Sequence, residues 1–263
     1  MGRYGLIGEK LGHSYSKLIH ERLADYQYDL IPLSREEFKE FMEAREFTAI
    51  NVTIPYKQAV IPYLNELHPL AERIGAVNTI VHKKVQDAKG NIKSRLIGYN
   101  TDYYGFGYMV AHHGIQIQGK KCLVLGDGGT SHTVRTLLTD LGARELLIVS
   151  RHDTLDTITY EECRRQHRDA QIIVNTTPCG MYPNIDASPL DLTGFHSCEA
   201  VLDAIFNPLQ TKLTLQAQSM GIKAVTGLEM LVAQAKQAVE YFLDRKLPEE
   251  VIDHIYKDLL QII

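Results

Sequence analysis

No stretch of the 263 residues approaches the roughly 18 consecutive apolar residues that a membrane-crossing helix needs. Blocks of Lys or Arg are missing too. The 28 basic and 32 acidic residues leave a formal charge of −4, so nucleic acid and anionic membrane surfaces are poor candidates for partners. Cysteine is scarce: Cys122, Cys163, Cys179 and Cys198 are widely spaced and form no C-x-x-C pair. They are expected to be reduced thiols. No basic-then-apolar leader precedes the strand-like run Tyr4-Gly5-Leu6-Ile7-Gly8, and a cytoplasmic location is expected. The 11 histidines contain no H-E-x-x-H, so no metal is expected. There is no internal repeat, low-complexity tract or Ser/Gly-rich linker. What remains is an ordinary globular composition, long enough for one large domain or two modest ones.

The first hundred residues alternate between strand and helix signals. Strands are expected at Arg3–Ile7, Tyr28–Ile31 and Ala49–Thr53, and a helix at Lys17–Leu23. A second helix runs from the capping box Ser34/Glu37 through Met42, and a short one covers Lys57–Leu64 after Pro55. Thr79–Val85 and Lys93–Ile97 read as a hairpin around Asp87-Ala88-Lys89-Gly90-Asn91. A helix from Asp102 to about His113 leads into a second series of strands: Cys122–Leu125, Leu146–Val149, Ile172–Asn175, Val201–Ala204 and Lys223–Val225. One of the intervening helices is expected just after Pro208. Helices Glu229–Leu243 and Glu249–Leu260 close the chain, with Pro248 at a first helical position. Such alternation implies an α/β protein with mostly parallel sheets covered on both faces.

The firmest motif is Leu123-Val124-Leu125-Gly126-Asp127-Gly128-Gly129-Thr130-Ser131, an apolar strand entering a glycine cluster that opens a helix. Glycines permit a tight turn and close backbone approach, and the helix start offers free N–H groups to a pyrophosphate. Roughly 20 residues on, where an NAD-selective fold carries an acid for the ribose 2′-hydroxyl, stand Ser150 and Arg151. An arginine fork suits a 2′-phosphate. NADP is therefore the expected cofactor, with NAD also accepted if Asp153 reaches the ribose.

Other stretches carry chemistry. In Asn51-Val52-Thr53-Ile54-Pro55-Tyr56-Lys57, the lysine falls in the first turn of the expected helix, where the macrodipole eases loss of its proton. In Gly98-Tyr99-Asn100-Thr101-Asp102, Thr101 or Asp102 can cap the next helix, and Asp102 can orient Lys57 and hold a substrate hydroxyl. The hydroxyls in Gly12-His13-Ser14-Tyr15-Ser16 can either cap a helix or grip a carboxylate. Asn78 can bond a sugar-like hydroxyl or serve as a turn asparagine.

Together with Gly75–Thr79, Val174-Asn175-Thr176-Thr177-Pro178-Cys179-Gly180-Met181 and Gly227–Ala235, these stretches resemble the shikimate dehydrogenase family, in the family's order along nearly the whole chain. The resemblance implies an oxidoreductase performing reversible NADP-dependent reduction of 3-dehydroshikimate to shikimate, a step of chorismate and aromatic amino acid biosynthesis. It implies a monomer or homodimer with a small-molecule substrate. It implies two domains, an N-terminal α/β substrate domain (1–101 plus 229–263) and a Rossmann-like, doubly wound NADP-binding domain (102–228). Lys57 would be the catalytic acid/base and Asp102 its partner. Ser14 and Ser16 would hold the substrate carboxylate, with Thr53, Asn78, Asp102, Phe206 and Gln234 around the ring. Gly126, Asp127, Gly128, Gly129, Thr130 and Ser131 would take the pyrophosphate, Ser150 and Arg151 the adenosine phosphate, and Thr176 and Gly227 would flank the cofactor.

Four positions depart from the family's usual pattern. Phe206 replaces a tyrosine, a loss of about 0.5–1.5 kcal/mol if its hydroxyl bonded substrate. Lys17 replaces a proline, adding positive charge beside the carboxylate site, and Asp127 and Thr130 replace small apolar residues. Two other functions fit the same motifs: a quinate/shikimate dehydrogenase using NAD, and a ligand sensor without turnover. The Lys57–Asp102 pair speaks against the sensor, which has no need of an acid/base.

Overall fold

The computed structural model describes residues 3–12, 14–86, 90, 92–152 and 154–262. His13 and Asp153, and all of the expected hairpin turn except Gly90, lie outside the described residues. The chain divides into two compact units, Met1–Tyr104 with Val232–Ile262, and Gly105–Leu231.

The first unit begins β1 (Tyr4–Gly8), α1 (Ser16–Leu23), β2 (Tyr28–Pro32), α2 (Arg35–Ala44) and β3 (Ala49–Val52). It continues through β4 (Glu66–Leu67), α3 (Pro69–Ile74), β5 (Thr79–Gln86) and β6 (Ile92–Tyr99), after which α4 (Asp102–His112) starts. Local chemistry sets several of these ends. Ser34 and Glu37 form the expected reciprocal capping box on α2. Helix α3 starts on Pro69 and stops at Gly75, whose φ of 72° is left-handed.

Among the described residues the sheet order is β2-β1-β3-β5-β6-β4, and β5 alone runs against the others. Strand alternation splits the core in two. Ile7, Ile50, Ile80 and Leu96 pack on Phe38 and Met42 of α2 and Ala71 of α3. Their neighbours Leu6, Ala49, Val81 and Ile97 pack with Tyr28 and Phe242 on the opposite face.

The second unit carries β7 (Lys121–Leu125), α5 (Gly129–Asp140), β8 (Glu145–Ser150), β9 (Ile158–Thr159) and α6 (Tyr160–Gln166). Then come β10 (Ile172–Asn175), β11 (Ala200–Asp203), α7 (Lys212–Ser219) and β12 (Lys223–Val225). All pairings among the described residues are parallel, in the order β12-β11-β10-β7-β8-β9. Numbered within this unit, that is the doubly wound order 3-2-1-4-5-6 of a Rossmann sheet. Its central strands are buried end to end, as β-strands covered on both faces must be. Leu123, Leu125, Ile173 and Val201 pack against Cys163 of α6 and Leu213 and Ala217 of α7.

Helices α8 (Leu228–Leu243) and α9 (Glu250–Leu260) end the chain. Three expectations need correction. Residues 57–60 form turns rather than a helix, and only Ile61–Tyr63 winds, as a single 3₁₀ turn. Helix α7 begins at Lys212, held by a capping box between Thr211 and Thr214, and not directly after Pro208. Pro248 precedes the cap residue Glu249 of α9 and is not its first helical position. All four cysteines are free. Burial pushes the Cys122 and Cys198 thiols up to about 12 and Cys163 up to about 11, so these three are inert packing groups.

Candidate active site

In the first unit, register gathers the candidate residues at one sheet edge. Strands β1, β3 and β6 end there, and β5, which runs the other way, begins there. Hence Thr53, Lys57, Asn78 and Asp102 leave the sheet at one end, although the chain separates them.

Lys57 is placed by its neighbours. The preceding ring, Tyr56, stacks on Phe38 with centroids 4.2 Å apart. The Tyr56 hydroxyl donates to the Leu33 carbonyl at 2.7 Å. The Val77 N–H donates to the Lys57 carbonyl at 2.8 Å. These tertiary anchors override the local helical tendency, so the expected helix-dipole effect on Lys57 does not operate. Instead the Lys57 ammonium donates to Asp102 Oδ2 at 2.5 Å, with only 12% and 8% of the two side chains exposed. Asp102 lies in the first turn of α4, where a carboxylate is favoured.

Behind this pair stands a polar network. Asn78 Nδ2 donates to Asp102 Oδ1 at 2.9 Å and to Thr101 Oγ1 at 3.0 Å. The Thr101 N–H donates to Asn78 Oδ1 at 2.7 Å. Gln234 Oε1 accepts from the Thr101 hydroxyl at 3.3 Å and from Asn78 at 3.4 Å. Asn51 reaches the Asn78 carbonyl and Thr79, and accepts from the buried Tyr28 hydroxyl. A buried polar network satisfied in this way is rigid, and it aims the Asp102 carboxylate. The Tyr103 N–H donates to Asn100 Oδ1 at 3.2 Å.

Ser14 and Ser16 lie at the start of α1, and the Ser16 N–H donates to Ser14 Oγ at 3.2 Å. The structure corrects the expectation for Lys17. Its ammonium donates to Glu21 and to the Tyr28 carbonyl, both at 2.7 Å, so its charge is already matched. Thr53 packs its methyl group against Gly8, where an added Cβ would come within 2.6 Å.

In the second unit, Gly126, Ser150, Thr176, Phe206 and Gly227 all lie at or just past the C-terminal ends of parallel strands. Gly126 and Thr176 follow β7 and β10, the neighbouring strands at which the order reverses, which is where ligands bind in such sheets. Gly126 has φ 103°, and a Cβ there would sit 2.8 Å from Thr177 and 3.0 Å from the Thr176 hydroxyl. Gly128 precedes α5, and a Cβ on it would meet nothing within 4 Å, so the helix start stays open. Gly227 approaches the chain so closely that a Cβ would lie 2.3 Å from the Ala204 carbonyl oxygen. Ser131 is buried and its hydroxyl has no partner. Thr130 lies in the same first turn, Asp127 is exposed and Phe206 half-buried. Ser150 is buried with its hydroxyl accepting from the His152 N–H at 3.2 Å, and Arg151 is exposed. An open helix start, an orphaned buried hydroxyl and an exposed arginine make a surface that fits a dinucleotide phosphate.

A family model described as the shikimate dehydrogenase substrate binding domain matches residues 6–80. A protein of Clostridium perfringens named shikimate dehydrogenase (NADP(+)) is 35% identical over 277 aligned positions, which span 98% of both chains. The chain belongs to the shikimate dehydrogenase family. A crystal structure of shikimate dehydrogenase 1 from Peptoclostridium difficile superposes with a TM-score of 0.89 at 36% identity, covering 98% of each chain. The Thermus thermophilus shikimate 5-dehydrogenase in complex with NADP(H) and shikimate gives 0.81 at 28% identity, covering 98% of this chain and 99% of that one.

Sequence reasoning missed two polar clusters. One is Thr101 with Asn51, which support Asn78. The other is His112, His113 and Glu229, whose side chains meet in the second unit. The adjacent histidines were visible in the sequence, but the carboxylate that joins them lies 116 positions beyond His113.

Proposed function

We propose that this protein catalyses the reversible NADP-dependent reduction of 3-dehydroshikimate to shikimate in chorismate biosynthesis. The observation that carries the reading is the Lys57–Asp102 ion pair at the edge of the first unit's sheet. It rests also on relatives named as NADP-dependent shikimate dehydrogenases and on a neighbour solved with shikimate and NADP(H).

Bound NADPH supplies the hydride. Gly126 to Ser131 hold the pyrophosphate on the first-turn N–H groups of α5, which have no intrahelical acceptors. Ser150 and Arg151 take the 2′-phosphate, and Thr176 and Gly227 flank the cofactor. As the substrate carbonyl is reduced, its oxygen gains negative charge and needs a proton. The Lys57 ammonium stabilises that charge and supplies the proton. Asp102 holds the ammonium in direction and regains it as a partner, and Asn78 holds Asp102. Ser14 and Ser16 bind the substrate carboxylate, with Thr53 and Gln234 beside the ring.

The decisive assay mixes the purified protein with shikimate and NADP and follows reduced nicotinamide, with NAD and quinate as crossed controls. Lys57→Ala should collapse turnover while shikimate binding stays within about tenfold. Undiminished turnover in that variant would overturn the role of Lys57.

A further inference from the structure

We propose that His112, His113 and Glu229 form a binding site for a first-row transition-metal dication, of which Zn(II) suits the donor set best. Two imidazoles and one carboxylate are a recurrent three-ligand set for zinc, with water completing the tetrahedron. Here all three donor atoms lie within 4.8 Å of one another. His112 Nδ1 is 2.9 Å from Glu229 Oε1, and His113 Nε2 is 2.8 Å from Glu229 Oε2. The two rings stand side by side, with centroids 5.5 Å apart and planes inclined by 51°. One nitrogen of each ring thus points to a common carboxylate rather than to solvent.

The surroundings suit an ion that comes and goes. Glu229 is buried, with 7% of its side chain exposed, so its two oxygens are held in position between the imidazoles. His112 has 47% of its side chain exposed and gives solvent access. The packed neighbours are the Tyr108 ring against His112 and Lys223, whose ammonium donates to the His113 carbonyl. Donor atoms around tetrahedral zinc at about 2.0–2.1 Å stand about 3.3 Å apart, so admitting the ion requires the contacts to open by a few tenths of an ångström. Each neutral imidazole must also carry its proton on the outer nitrogen, Nε2 of His112 and Nδ1 of His113.

The ion would join the end of α4 to the first turn of α8, two residues beyond Gly227. Metal binding of this kind stabilises the folded chain by mass action.

The test uses the full chain stripped with EDTA and titrated with ZnCl₂ by calorimetry, with Co(II) as a spectroscopic probe. One equivalent of Zn(II) should bind and raise the melting temperature, and Co(II) should show tetrahedral visible bands. His113→Ala, His112→Ala and Glu229→Gln should each weaken Zn(II) by more than the roughly 10–100-fold that loss of an outer-shell partner costs. Melting of each variant in EDTA verifies that it folds. If an alanine variant does not fold, the corresponding His→Gln variant takes its place in the Zn(II) titration. Zn(II) binding that persists unchanged in the folded His112→Ala/His113→Ala variant would place the ion elsewhere and overturn the proposal. So would the absence of stoichiometric binding or of tetrahedral Co(II) bands in the unaltered protein.

Discussion

Lys57 and Asp102 stand 45 positions apart in the chain, yet the ammonium of one lies 2.5 Å from the carboxylate of the other. The antiparallel β5–β6 hairpin brings this about. Thr79 at the start of β5 pairs with Tyr99 at the end of β6, and Asn78 and Thr101 then bond across the gap. Asp102→Asn keeps the shape and an acceptor for Asn78 but deletes the charge facing Lys57. Steady-state kinetics should show kcat lower by about 10²-fold or more. The melting temperature should also fall, because a buried cation loses its counter-charge. Wild-type kcat in this variant would refute the pairing as part of the mechanism.

Arg151 is exposed at the end of β8. If it grips the 2′-phosphate, Arg151→Ala forfeits a charge-assisted contact worth about 1.5–3 kcal/mol. The KM for NADP should rise about 10-fold to more than 100-fold, while the KM for NAD stays unchanged. Equal effects on both cofactors would exclude the assignment.

His20 is fully buried, stacks on Tyr28 at 4.0 Å and shares a hydrogen bond with the Tyr26 hydroxyl at 2.8 Å. Burial pushes its pKa down to about 3 from the ordinary 6.5. The unfolded chain therefore binds a proton that the native state refuses. Stability contributed by the neutral ring is present above pH 6.5 and is lost as pH falls toward 3. In His20→Gln, denaturant unfolding between pH 7 and about 4 should lose less stability on acidification than wild type does. Identical slopes would rule His20 out as the acid-labile group.

Asp203 shows the opposite sign. Burial raises its carboxyl to about 6 from 3.8, against three hydrogen bonds from the Ile205 N–H, Thr211 and Asn175. Between those values the native state holds a proton that the unfolded chain has released. The contribution is complete below pH 3.8 and disappears as pH rises through about 6. Asp203→Asn should remove this downward component, so the stability difference between variant and wild type should shift in the variant's favour from pH 4 to about 7. A difference that stays flat across that range would show the carboxyl to be ionised throughout.

Signals that act over a few residues were legible in the sequence. The Ser34/Glu37 box capped α2 because its partners are three positions apart. The run from Leu123 through Ser131 announced strand, glycine turn and helix because each step is a local backbone preference. Lys57 was misplaced on a helix because distant groups decide its backbone. Tyr56 docks on Phe38 and Leu33, and Val77 occupies the Lys57 carbonyl. Asn78 could be named as a polar candidate, but its service to Asp102 and Thr101 depends on strand register.

The sequence by itself determined the alternation of elements, the doubly wound half and the residue types able to do the chemistry. These follow from periodicity, turn preference and side-chain functional groups, all short-range properties. Tertiary structure alone decided which groups face each other: the Lys57 ammonium against the Asp102 carboxylate, the seating of the Lys17 ammonium on the Tyr28 carbonyl, and the meeting of His112 and His113 with Glu229. Each of those encounters closes a loop of chain, and only the packing of whole sheets and helices offsets the entropy of closing it.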